Sequence, residues 1–284
     1  MIRLADHKDI SGIISLWHEC FGDSEKEISF FLKEKFVAEN TVVFEENGNI
    51  VSMLFLLEGE MHINDSDYPA YYLYAACTSK NCRGRGLMAK LLSFTQSIAK
   101  ERKFAFICLM PAEKSLFDFY SKHGYTTFFE RKKLKLTKSE VNDYISNIVF
   151  EPGFNNFDLQ SLRDKSLNTV NYFKWNNKSI NFAFEHTKLY FGWHFISCKG
   201  YALCSINDSG VYVKEYTFPQ SDLLSFAKYL FKNHEIDKII FNLPAEFQSH
   251  VGEFEIEPSG MILPLSDEYK LLIKNKAYLG LTLD

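Results

Sequence analysis

Six consecutive residues, Asn81-Cys82-Arg83-Gly84-Arg85-Gly86, hold the chemistry that is easiest to read from this chain. They follow a run of strand character, LYAAC, and precede a run with apolar residues at helical spacing. A glycine without a Cβ lets a ligand approach the backbone closely, and the first turn of a helix presents unpaired N–H groups and partial positive charge. Arg83 and Arg85 add cationic side chains, so the stretch reads as a site for an anion, with phosphate or pyrophosphate expected. Alone, the same residues also fit an ordinary strand-to-helix turn stabilised by glycine. They make neither a Walker loop, which ends in G-K-[ST], nor a dinucleotide fingerprint, which needs a third glycine and opens a βαβ unit.

The elements that must position this turn can be read outward from it. The helix after it places Leu87, Leu91, Leu92, Thr95, Ile98 and Ala99 on one side. Before it, Met1 to Leu4 reads as a strand, Asp6 as the N-cap of a helix ending near Gly22, and Ser24 to Phe36 as a second helix. Two strand-like runs flank Asn47-Gly48, a hairpin signal, and a turn at Asn64 to Pro69 leads into the strand Tyr71 to Thr78. After the helix, Phe104 to Met110 reads as a strand buried on both faces. A helix then opens at Pro111 with Leu116, Phe119, Tyr120 and His123 on one face, and Tyr125 to Leu136 reads as a strand.

Pro152-Gly153 is a strong breaker near the expected domain boundary. Beyond it, Leu159 to Val170, Asn177 to Glu185 and Pro219 to His234 read as helices, while KLYFGWHFI, GYALCSI, VYVKEYTF and KIIFNL read as strands. Three strands, a helix and a strand thus recur in both halves, an echo in element order. The turn before the later helix, TFPQSDLL, has no glycine pair and no arginine, so only the first half keeps the anion cradle. The tail AYLGLTLD, ending in Asp284, reads as an edge strand.

Strand, R-G-x-G turn, helix, apolar strand and then SLFDFYSKHGY together resemble the GNAT acetyltransferase superfamily over roughly the first 135 residues. That resemblance implies a mixed α/β, mostly antiparallel sheet with helices on both faces. It implies an acyl-CoA-binding domain over residues 1–137, and residues 138–284 look like the degenerate GNAT repeat of tandem acetyltransferases. Acetyl-CoA is the implied donor and a primary amine the acceptor. Arg83, Gly84, Arg85, Gly86, Leu87 and Met88 would supply amides to the pyrophosphate, while Ala76, Cys77 and Thr78 would pair through backbone with the pantetheine arm. A backbone amide near Cys77 or Thr78 would polarise the thioester carbonyl. Tyr120 falls where many members keep a tyrosine whose hydroxyl protonates the departing thiolate, although it also belongs to a helical core stripe. Asn81 and Glu113 depart from the residues that members carry at these positions. In relatives of the enhanced-intracellular-survival type the C-terminal carboxylate can reach the active site. A non-catalytic acyl-CoA-binding module and an aminoacyl-tRNA-dependent transferase are the rival readings.

Composition bounds the partners. With 284 residues, 46% of them hydrophobic and 16% aromatic, the chain fits two packed domains. A net charge of −4 without a polybasic block argues against a nucleic-acid footprint, and no apolar run reaches membrane-spanning length, so a cytoplasmic protein is expected. Six cysteines lack C-x-x-C spacing and read as reduced thiols, and neither they nor the eight histidines signal a metal site. Glu58, Glu60 and Asp65 lie where a carboxylate could accept a proton from an amine, but none stands out as a general base. A homodimer surface is a further role open to the second half.

Overall fold

The structure, a computed structural model, describes residues 1–142, 144, 157–207 and 210–282. Pro152, Gly153 and Asp284, on which the expected boundary and tail rest, lie outside the described residues. The chain divides into two units, one of Met1–Glu60, Asp67–Thr127 and Met261–Ile273, the other of Met61–Ser66, Phe128–Gly260 and Lys274–Asp284.

The first unit begins with β1 (Ile2–Leu4), α1 (Ile10–Phe21) and α2 (Glu25–Lys35). Asp6 does not cap α1 directly, because a 3-10 turn, His7–Asp9, intervenes. Then come β2 (Thr41–Glu46), β3 (Asn49–Ile63), β4 (Ser66–Thr78), α3 (Leu87–Glu101), β5 (Phe106–Leu109) and α4 (Lys114–Ser121). Asn47 and Gly48 turn the β2–β3 hairpin with positive φ of 51° and 79°. β4 starts earlier than expected, so Pro69 lies inside it rather than in the preceding turn.

Alternation along β3 and β4 puts helices on both faces of this sheet. Leu54, Leu56, Tyr71 and Leu73 pack with Leu91 and Leu92 of α3. Their neighbours face the other way: Phe55 meets Trp17 of α1 at 5.5 Å and Phe31 of α2 at 5.2 Å, centroid to centroid. The buried residues of α3 are Leu87, Leu91, Leu92, Thr95, Ile98 and Ala99, the face its periodicity predicts.

The second unit holds β6 (Thr126–Thr137) from Phe128 onward, then α5 (Lys138–Val141), α6 (Leu159–Leu167), β7 (Asn171–Lys174), α7 (Asn177–Leu189), β8 (Trp193–Ser197), β9 (Gly200–Asn207), β10 (Gly210–Tyr216), α8 (Leu223–Asn233) and β11 (Lys238–Leu243). KLYFGWHFI is a strand only from Trp193: α7 runs on to Leu189, and Phe191 turns the chain at φ 56°. Aromatic β-propensity misleads there: Lys188 and Leu189 complete α7, and Tyr190 and Phe191 lie exposed in the turn after it. Leu223, Phe226, Ala227, Leu230 and Phe231 of α8 are buried against β9, β10 and β11.

Two strands, β7 and β12, escape the sequence reading. β12 (Glu253–Pro264) carries Pro258 and Gly260, residues that usually interrupt strands, yet its Met261 to Pro264 portion pairs antiparallel with β5. After α9 (Asp267–Lys270), β13 (Ala277–Tyr278) pairs parallel with both β6 and β7. The tail therefore starts as an interior strand, not the edge strand expected, and Leu279 and Leu281 beyond it are buried.

The echo in element order is a repeated topology. β2, β3 and β4 are antiparallel neighbours, and β5 returns parallel to β4 after α3, with Tyr72 opposite Cys108. β8, β9 and β10 are likewise antiparallel, and β11 returns parallel to β10 after α8, with Val213 opposite Phe241. The last antiparallel strand of each set is irregular: Ala75 in β4 has φ 47°, and the β10 register shifts between Val213 and Glu215.

Candidate functional site

Pairing of β4 with β5 ends at Tyr72 and Cys108, whereas β4 continues to Thr78. The last part of β4 thus has an edge that β5, among the described residues, does not cover. Ala76, Cys77 and Thr78 all lie on it. The chain then makes a 3-10 turn, Lys80–Cys82, and enters α3 through Gly84 and Gly86 at φ 76° and 71°. A Cβ at either glycine would meet nothing within 4 Å, so open space lies against this backbone. Leu87 and Met88 open α3, and first-turn amides of a helix have no intrahelical acceptor. Curved backbone, positive φ, free amides and space fit an anion cradle.

The two arginines do less than their charge suggests. Arg83 Nε donates to the Thr78 carbonyl at 3.2 Å, bracing the turn against the strand end. Arg85 makes a two-pronged contact with Glu46 at 2.9 and 2.6 Å, which lowers the Glu46 carboxyl below its ordinary range. Tyr120 of α4 is buried in one apolar cluster with Ile107, Leu109, Tyr125 and Met261, against which Ala76 and Met88 also pack.

Residues 1–128 match the family described as an acetyltransferase (GNAT) domain. This part of the chain belongs to the GNAT acetyltransferase family. Solved structures extend the likeness along the chain. A GCN5-related N-acetyltransferase from Anabaena variabilis aligns with TM-score 0.79 at 15% identity, over 96% of this chain and 74% of its own. Another from Kribbella flavida aligns with TM-score 0.76 at 11% identity, over 96% and 74%. Eis1 from Mycobacterium abscessus aligns with TM-score 0.68 at 10% identity, over 95% and 75%. Likeness at such identity shows the fold alone, over nearly the whole chain. No curated protein matches the chain. Among the described residues, no helix is long and apolar enough to cross a membrane.

Around the GNAT turn stand residues that sequence reasoning missed. Glu19 of α1 accepts from Ser79 Oγ at 3.1 Å and from the Lys80 amide at 2.7 Å. Ser52 of β3 donates to the Cys77 carbonyl at 2.9 Å and shares a hydrogen bond with Thr78 Oγ1 at 2.8 Å. Cys20 Sγ lies 3.6 Å from the Thr78 carbonyl, and the neighbouring Cys77 thiol brings the Cys20 thiol down to about 7. Each comes from an element far along the chain, where no local pattern marks it. Burial pushes the Tyr120 phenol up to about 12. Of the carboxylates weighed as bases, Glu58 accepts from Asn40 at 2.9 Å, and Asp65 sits in the turn after β3 at φ 60°.

Proposed function

We propose that the chain is an N-acetyltransferase that moves an acetyl group from acetyl-CoA to a primary amine. The observation that carries this reading is the uncovered edge of β4 leading at once into the open glycine turn at the start of α3. In this reading, residues 1–137 form the donor-binding domain and residues 138–284 a GNAT-like domain that shapes the acceptor side or a dimer surface. Amides from Arg83 to Met88 hold the pyrophosphate, and the backbone of Ala76, Cys77 and Thr78 pairs with the pantetheine arm. An amide near Cys77 polarises the thioester carbonyl. The amine nitrogen attacks the carbonyl carbon, the C–S bond breaks, and Tyr120 gives its proton to the leaving sulfur while the amine proton passes to solvent. A phenol raised by burial keeps its proton at neutral pH, as a donor must. Holding amine and thioester side by side removes much of the entropic barrier.

Thermal unfolding with acetyl-CoA tests the donor half. At about a hundredfold excess over the dissociation constant, stabilisation of about 2.7 kcal/mol is expected. No stabilisation removes the donor assignment. Thiol release over a panel of amines tests the transfer, and stabilisation without release on any amine leaves an acyl-CoA-binding module.

A further inference from the structure

The second unit has a cavity of its own, of about 390 Å³. It lies at the carboxyl ends of the parallel strands β10 and β11, where Tyr216 and Phe218 come from one side and Pro244 and Phe247 from the other. Crevices at that position in sheets with parallel strands are where ligands collect, and the volume falls in the range of small-molecule pockets.

This cavity is not a second copy of the GNAT donor site. The turn after β10 carries Pro219 and no glycine, and it enters α8 through a 3-10 turn, Gln220–Asp222, so no open amide cradle is formed. Just past the last β10–β11 pair, Asn242 Nδ2 donates to the Lys214 carbonyl at 3.0 Å and ties the two strands together where the first unit leaves β4 uncovered.

Its own lining says what would suit it instead. Leu167, Tyr216, Phe218 and Pro244 are buried, which makes an apolar floor, and Phe247 is half-buried at the side. The rim is exposed and carries Lys165 and Lys199 against a single acid, Glu246. Lys199 is engaged by Asp222 at 3.4 Å, while Lys165 has no ion-pair partner among the described residues. A cationic rim over an apolar floor recognises a molecule with one negative group and an apolar body.

We infer that this cavity binds a small carboxylate with an aryl or short acyl body, its carboxylate at Lys165 and its body over Leu167, Phe218 and Phe247. The full chain is titrated with 3-phenylpropionate, with 3-phenylpropan-1-ol as the neutral control, by ligand-observed NMR. Saturable binding is expected in about the millimolar range, the scale for fragments of this size. The alcohol binds roughly threefold more weakly, because an exposed charge contact is worth about that order. Lys165→Glu removes the preference for the acid, and Ser166→Trp, at an exposed position of the lining, blocks both compounds. Excess coenzyme A leaves binding unchanged. Absence of saturable binding, equal binding of acid and alcohol, an unaffected Ser166→Trp protein that melts normally, or displacement by coenzyme A would each overturn the assignment. Should Ser166→Trp not fold, Lys165→Glu alone decides it.

Discussion

Arg85 of the glycine turn and Glu46 at the end of β2 hold each other by two parallel hydrogen bonds, Nη1 to Oε2 at 2.9 Å and Nη2 to Oε1 at 2.6 Å. Both side chains are partly exposed, so the pair is screened, yet its two-pronged geometry occupies the guanidinium. Glu46→Gln frees that charge. The Michaelis constant for acetyl-CoA is expected to fall roughly two- to threefold, with a steeper dependence on ionic strength. Initial rates over a donor series at two salt concentrations check it.

Gly84 and Gly86 separate backbone strain from occupancy of the site. Alanine in the left-handed region costs about 1–2 kcal/mol, which lowers the melting temperature by a few degrees. The new Cβ meets no protein atom, so it would stand in the space left for the donor. Gly86→Ala is therefore expected to weaken acetyl-CoA binding by roughly tenfold or more, beyond what its stability loss explains. Calorimetric titration at a temperature where the variant is fully folded measures this.

Tyr120→Phe keeps the ring contacts with Phe119 and Tyr125, at 5.2 and 5.6 Å, and removes only the hydroxyl. Turnover should drop roughly a hundredfold with the melting temperature nearly unchanged. Burial raises this phenol to about 12, so it is protonated below that pH. In the wild-type protein, loss of rate from its ionisation should appear only as pH rises towards about 12. A pH–rate profile and a melting curve of the variant test both statements.

Cys20 is the more exposed of the two facing thiols and the one that ionises, at about 7, because contact with Cys77 favours its thiolate against the opposing cost of burial. Cys77 is pushed up, chiefly by the same contact. Thiolate is the reactive form and it forms as pH rises, so alkylation of Cys20 by iodoacetamide should climb through about pH 7 while Cys77 and the buried Cys108 stay unmodified. Peptide mass mapping after timed labelling reads the three sites separately.

Arg163 and Glu215 form a buried ion pair at 3.0 Å in the second unit, with Tyr201 donating to Glu215 at 2.6 Å and the Leu281 amide donating to it at 3.1 Å. Arg163→Met leaves a buried carboxylate without its cation and is expected to cost about 3–5 kcal/mol. Adding Glu215→Gln should recover part of that loss, because the uncompensated charge disappears. Urea denaturation of the single and double variants measures both.

Local pattern carried much of the fold. The inward face of α3 followed from periodicity, and the β2–β3 hairpin from Asn47-Gly48, because each depends on residues within a few positions of one another. The reading failed where tertiary packing overruled propensity. β12 pairs with β5 despite Pro258 and Gly260, and Tyr190 and Phe191 cap and turn the end of a helix instead of starting a strand. β13, a two-residue strand, exists only because β6 and β7 flank it.

The sequence by itself determined the backbone of the turn. Glycines at 84 and 86 allow the left-handed backbone, and the helix after them supplies the amides; both effects are local. Only the tertiary structure decided which groups surround that turn. Glu46 neutralises Arg85, Glu19 holds Ser79 and Lys80, and Cys20 meets Cys77, through contacts between residues 39 to 61 positions apart that strand register and helix docking bring together. The uncovered edge of β4 is of the same kind, since it depends on where β5 stops. No local pattern encodes such contacts, because they exist only after the sheet has assembled.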